Sequence, residues 1–111
     1  MKSTTESRHG KIILAVSEER LDASNSADLR EKLLALLEEG GQHLVVDLSH
    51  VGFIDSSGLG ALLSGFKTSN LRSGSLVLAG LQPRVQSMFE LTRLHRVFEI
   101  FPSVADALGQ P

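Results

Sequence analysis

Cysteine, tryptophan and tyrosine are all missing from the 111 residues. The first absence excludes disulfides, thiolate metal sites and cysteine nucleophiles. The other two remove the side chains that most often anchor protein interfaces and stack nucleobases. An excess of positive charge is missing too: eleven Lys and Arg stand against thirteen Asp and Glu, a formal charge of −2. With nothing to neutralise a run of phosphates, nucleic acid is not an expected partner. No apolar run approaches the roughly 20 residues of a membrane span, and Met1–Gly10 is polar where a secretory signal needs an apolar stretch. Membrane insertion is therefore not expected, and a cytoplasmic location is.

Against these absences, 41% hydrophobic and 22% charged residues are ordinary for a folded domain. The length suits one core and is short for two. With no linker, repeat or low-complexity stretch, the expectation is a single domain over residues 1–111, its structured part running from about Lys2 to Gly109. Charge is uneven along it: residues 1–50 hold nine acids and six bases, residues 51–111 four acids and five bases.

Lys11–Val16 is a short apolar run suited to a buried strand, and His9-Gly10 before it suits a hairpin turn from an earlier, weaker strand. From Ala23 to Glu39, Leu29, Leu33, Leu36 and Leu37 fall at i, i+4, i+7 and i+8, the pattern of an amphipathic helix. Asp22 or Ser24 is placed to cap its start, and Gly40-Gly41 to supply the positive φ that ends it. His43–Leu48 reads as a second buried strand. Leu59, Leu62, Leu63 and Phe66 mark a second helix, Leu76–Ala79 a further strand, and Pro83 opens a third helix to about Leu91. A short strand over Val97–Phe101 and a last helix from Pro102-Ser103 to Leu108 complete the order β-β-α-β-α-β-α-β-α. Crossover helices between strands imply an α/β fold with a mixed four- to five-stranded β-sheet, mostly parallel at its centre, and about four α-helices packed mainly on one face.

One segment carries chemistry: Asp47-Leu48-Ser49-His50-Val51-Gly52-Phe53-Ile54-Asp55-Ser56-Ser57-Gly58-Leu59-Gly60. It joins a buried strand to a helix. Ser56 stands where an N-cap is expected, with Ser57, Gly58 and Leu59 in a first turn whose free N–H groups and positive dipole end tolerate an anion. Read from the residues alone, Asp55, Ser56 and Ser57 are equally ordinary helix caps, Leu59 equally core, and Asp22 equally a cap or a contact. Gly58 and Gly60 are equally residues kept small for close packing.

The run resembles the signature of the STAS domain, in particular of the bacterial anti-sigma factor antagonists, in which a strand and a Leu-Ser turn precede Asp-Ser-Ser/Thr-Gly-Leu-Gly. The resemblance spans nearly the whole chain. Leu21-Asp22 is similar to the family's Leu/Ile-Asp element, and Leu76–Ala79 followed by Pro83-Arg84-Val85 to its later strand-loop-helix. It implies a switch protein and a substrate, not an enzyme. Ser56 would be phosphorylated by a partner serine protein kinase that is itself the anti-sigma factor. The unphosphorylated form would bind that kinase and release the sigma factor, and a metal-dependent serine phosphatase would restore it. Ser57 matches a supporting position. The partner surface is expected to include Leu21, Asp22, Asp55, Ser56, Ser57, Gly58 and Leu59, because loops at one sheet edge lie together. No cofactor or metal is implied. One departure is plain: the family often has Gly ahead of Leu-Asp, whereas Glu18-Glu19-Arg20 precedes Leu21 here, a place able to alter partner choice or the strand-to-helix turn.

Other chemistries find little support. Ser56 and Ser57 lie near His50 in sequence, but no Gly-x-Ser-x-Gly elbow is present. His9, His43, His50 and His95 lack the spacing of a metal site. Gly58-Leu59-Gly60 continues into neither a dinucleotide fingerprint nor a phosphate loop. The rival reading lies within the same family: a non-phosphorylated STAS scaffold, or a cytoplasmic subunit of a stress-signalling or lipid or anion transport complex. No heptad or large apolar surface announces a dimer.

Overall fold

The computed structural model describes residues 1–109. In chain order its elements are β1 (Ser3–Arg8), β2 (Lys11–Val16), β3 (Arg20–Leu21), α1 (Ser26–Glu38), β4 (His43–Asp47), β5 (Phe53–Ile54), α2 (Ser56–Leu71), β6 (Ser75–Ala79), α3 (Pro83–Leu91), a 3-10 turn at Leu94–Arg96, β7 (Ile100–Phe101) and α4 (Val104–Ala107). A five-stranded sheet runs in the order β1-β2-β4-β6-β7, with β1 antiparallel to β2 and every other pair parallel. The mixed α/β architecture and the four helices are those expected.

The opening hairpin turns on His9 and Gly10, both at positive φ (52° and 75°). Two consecutive left-handed residues give a two-residue turn whose twist matches its strands. Strands β2, β4 and β6 lie inside the sheet and are covered on both faces, which is why they read as continuous apolar runs. Leu14, Leu44, Val46, Leu76 and Leu78 face the core shared with α1, α2 and α3. The alternate residues Ile13, Val45 and Ala79 meet Ala107 and Leu108 at the end of the chain. The short α4 therefore packs on the opposite face from the three longer helices.

Four local expectations are corrected. A separate two-stranded parallel sheet, β3 with β5, is added to the expected order. Helix α1 begins at Ser26 and not at Ala23, because the Asp22 carboxylate binds the Ser24 N–H and hydroxyl and holds the intervening residues in a turn. The strand expected from Val97 starts only at Ile100. Arg93, at φ 62°, turns the chain into the 3-10 segment, and the Phe98 N–H donates to the Leu94 carbonyl, so residues 97 and 98 stay outside the ladder and it begins with the Glu99 carbonyl, which accepts from the Leu78 N–H at 3.0 Å. What Phe98 gains is burial: it lies 5.1 Å from Phe66 and meets Phe89 edge-on at 5.6 Å. The fourth correction, at the start of α2, concerns the site and is described below.

Phe89 is fully buried at one end of this aromatic group. Phe89→Ala is expected to lower stability by about 3–5 kcal/mol, read as a lower urea midpoint with an unchanged denaturant slope.

Candidate functional site

The loops following β2, β4 and β6 meet at the carboxyl ends of the parallel strands, the usual binding edge of an open α/β sheet. Backbone hydrogen bonds join the first two. The Glu19 carbonyl accepts from the Gly52 N–H at 2.8 Å and the Phe53 N–H at 3.2 Å, and the Leu21 carbonyl accepts from the Asp55 N–H at 3.1 Å. Register pairs Arg20 with Phe53 and Leu21 with Ile54. Asp22 is thereby brought beside Asp55, although 33 positions separate them in sequence. The third loop is tied in by Gln82, whose Nε2 donates to the Ser49 carbonyl at 2.9 Å.

At the start of α2 the capping residue is Asp55, not Ser56. Its backbone is extended, and Oδ1 accepts from the Ser57 N–H at 2.8 Å and the Gly58 N–H at 3.1 Å. A carboxylate caps the N–H groups two and three residues on as a serine does, and adds a negative charge at the positive end of the helix dipole. Ser56 is already helical, and its exposed hydroxyl makes no hydrogen bond among the described residues. The capping also corrects the idea of an open anion site, since two N–H groups of the first turn are already bound to Asp55.

Asp22 is a second fixed carboxylate. Oδ1 accepts from the Ser24 hydroxyl at 2.6 Å and the Ser24 N–H at 2.9 Å, and Oδ2 faces Arg20 Nε at 3.5 Å. Asn25 completes the turn, accepting from the Asp22 N–H at 3.0 Å and donating to the Arg20 carbonyl at 2.8 Å. The two Ser24 hydrogen bonds first, and the Arg20 guanidinium after them, hold the Asp22 carboxyl below its ordinary range.

Of the residues singled out from the sequence, Ser56 is exposed and Asp22, Asp55 and Ser57 are half-buried. Leu21, Gly58 and Leu59 are buried and present no side chain to a partner. A Cβ on Gly58 would stand 2.8 Å from both the Leu21 carbonyl oxygen and Ile54 Cγ1, so this glycine is required for close packing. Around Gly60 the space is open, and packing does not explain it.

Three neighbours escaped the sequence reading. The Phe53 ring lies under the Arg20 guanidinium, with Cζ 4.1 Å from the ring centroid, and the Arg84 Cζ is 5.6 Å from the same centroid. The available signal was a phenylalanine inside a loop of a chain that has only five.

A mixed five-stranded sheet with a capped serine turn at its carboxyl edge defines the class of domain. The STAS domain model matches residues 2–107, and the chain belongs to that family. It is 36% identical over 80 residues to the anti-sigma-B factor antagonist of Listeria monocytogenes, covering 72% of this chain and 70% of the relative. Among solved structures, an anti-sigma factor antagonist from Mycobacterium paratuberculosis superimposes with a TM-score of 0.88 at 25% identity, over 97% of this chain and 91% of the other. The Bacillus cell fate determinant SpoIIAA in its phosphorylated form shares the fold, with a TM-score of 0.74 at 17% identity over 97% of both chains.

Two outcomes test the geometry. Asp55→Ala removes the cap and is expected to cost about 0.5–2 kcal/mol, with faster amide exchange at Ser57 and Gly58; Asp55→Asn, itself a good cap, restores most of both. Asp22 should titrate below free aspartate in a carboxyl NMR experiment, and Ser24→Ala should move its midpoint up. Because the folded-state pKa is the lower one, the Asp22 contribution is complete above the unfolded-state value and is lost as pH falls through the folded one. An unmoved midpoint in Ser24→Ala would refute this assignment.

Proposed function

We propose that this chain is an anti-sigma factor antagonist working by partner switching, in a single cytoplasmic domain over residues 1–111. The unphosphorylated form binds an anti-sigma factor that is also a serine protein kinase, and the sigma factor is released. Phosphorylation of Ser56 ends the binding, and a metal-dependent serine phosphatase restores it. The observation that carries this reading is the Ser56 hydroxyl, exposed and unbonded on the first turn of α2 behind the Asp55 cap. The likeness to anti-sigma-B factor antagonists supports it.

In the forward step Ser56 Oγ attacks the γ-phosphorus of ATP held by the kinase. The Oγ–P bond forms, the bond to ADP breaks, and the hydroxyl proton passes to a base of the kinase. Hydrolysis by the phosphatase returns the hydroxyl and inorganic phosphate. This chain supplies the acceptor and its presentation, and the chemistry belongs to its partners.

The added group carries roughly −1.5 to −2 charge. With the Ser57 and Gly58 N–H groups held by Asp55, it is not drawn into the helix end and stays on the surface beside the Asp55 carboxylate. The switch is then a change of charge and bulk on a rigid docking face, with α2 left folded. Asp22, Asp55, Ser56 and Ser57 line that face, while Leu21, Gly58 and Leu59 shape it from beneath. Gly60, one turn beyond Ser56, leaves room for a partner to come close to α2.

Incubation with the cognate kinase and ATP is expected to add one phosphoryl group by mass, absent in Ser56→Ala, and Ser56→Asp is expected to abolish binding of the anti-sigma factor. Tight binding by Ser56→Asp would sink the switch. Stable co-purification with a larger assembly, indifferent to that substitution, would favour the scaffold reading.

A further inference from the structure

Phe53 sits in β5 immediately before the Ile54-Asp55 step into α2, half-buried, with two guanidinium groups on its ring. Arg20 reaches it through the β3–β5 register, and Arg84 reaches it from the first turn of α3. Three loops of the carboxyl edge thus contribute to one cluster, on the strand that leads into the Ser56 turn.

The two cations there are paired unequally. Arg20 pairs with Asp22 at 3.5 Å through Nε. Arg84 is exposed and pairs with no carboxylate among the described residues. Glu19, beside Arg20, is exposed; its backbone carbonyl accepts from Gly52 and Phe53, and its carboxylate forms an ion pair with neither guanidinium. Two like charges brought to one ring repel each other. Arg84 also occupies the second position of α3, a helix with no acidic residue in its first turn and no side-chain cap. A cation at that end opposes the helix dipole, where Asp or Glu would favour it. Local stability therefore argues against Arg84, and a residue that breaks a local rule without a gain inside the fold points to a requirement outside it.

We propose that Arg20, Phe53 and Arg84 form a specificity-determining subsite that receives a carboxylate side chain of the anti-sigma factor. Phe53 fixes the planes of the guanidinium groups, and their outward N–H donors, Arg84's above all, form charge-assisted hydrogen bonds to the incoming carboxylate. The inference rests on the reading that this edge docks an anti-sigma factor. It adds the chemistry of the partner's contact, an aspartate or glutamate set beside the segment that meets Ser56.

The test uses the full chain and the anti-sigma factor that binds it, titrated by calorimetry over a series of salt concentrations, with thermal unfolding measured alongside. Arg84→Glu is expected to weaken binding roughly tenfold or more and to flatten the salt dependence, while the melting temperature stays the same or rises. Arg84→Lys, keeping the charge but not the planar fork, should fall between. Phe53→Leu, keeping apolar volume but not the ring, should also weaken binding. Arg84→Glu binding within about twofold of the unmodified chain overturns the inference. So does a lowered melting temperature in Arg84→Glu, the mark of a structural arginine. Binding lost in Ser56→Asp but kept in Arg84→Glu overturns this inference alone; an unmodified chain that binds no anti-sigma factor overturns it together with the proposed function.

Discussion

The Leu21 carbonyl holds the functional edge together. It accepts the Asp55 N–H at 3.1 Å, which fixes the loop after β2 to the residue that starts α2. The bond is possible at this closeness because Gly58 has no Cβ, which would otherwise stand 2.8 Å from the same oxygen. With that approach secured, Leu21 buries completely, Ile54 packs beneath, and Asp55 is turned so that its carboxylate reaches the next two N–H groups of the helix. If the Leu21 carbonyl moved, β3 would separate from β5 and α2 would start elsewhere.

From that point the electrostatics of the edge follow. Asp22, and Oδ1 of Asp55, are bonded by donors within the fold. The positive side is different: Arg20 is shared between Asp22 and the Phe53 ring, while Arg84 is held by the ring alone. Asp22 and Asp55 are bonded within the fold, whereas the exposed Glu19 carboxylate and the Arg84 guanidinium have no ion-pair partner among the described residues. On the proposed reading, a phosphoryl group on Ser56 adds negative charge beside Asp55, and an acidic side chain of the partner answers Arg84.

Much of this was legible in the chain. The hairpin followed from His9-Gly10, the central strands from their continuous apolar runs, and α2 from the spacing of Leu59, Leu62, Leu63 and Phe66. What stayed hidden has physical causes. A strand of two residues, such as β3 or β5, has no period to detect, and its pairing depends on contacts remote in sequence. The cap fell on Asp55 and not Ser56 because both residue types cap well, and only the backbone geometry decides which one is extended. Val97 looked like a strand residue by type, yet the burial of Phe98 against Phe66 and Phe89 outweighed its β preference. Arg84 could not be linked to Phe53 at all, since 31 positions separate them and their contact depends on how α3 lies over the edge.

The segment Asp55-Ser56-Ser57-Gly58-Leu59-Gly60 thus divides into unlike parts. Gly58 and Leu59 answer to packing, and Asp55 answers to the unpaired N–H groups of the helix. Ser56 has no role in the fold that accounts for its hydroxyl, which is exposed and unbonded among the described residues. A motif of this kind chiefly specifies a way of building the turn, so any domain that builds the same turn can share it while meeting different partners. Discrimination between partners must then come from residues the turn does not constrain. On the proposed reading those are Arg20, Phe53 and Arg84, whose side chains contribute charge and an aromatic plane and form neither the Asp55 cap nor the Leu21 carbonyl bond.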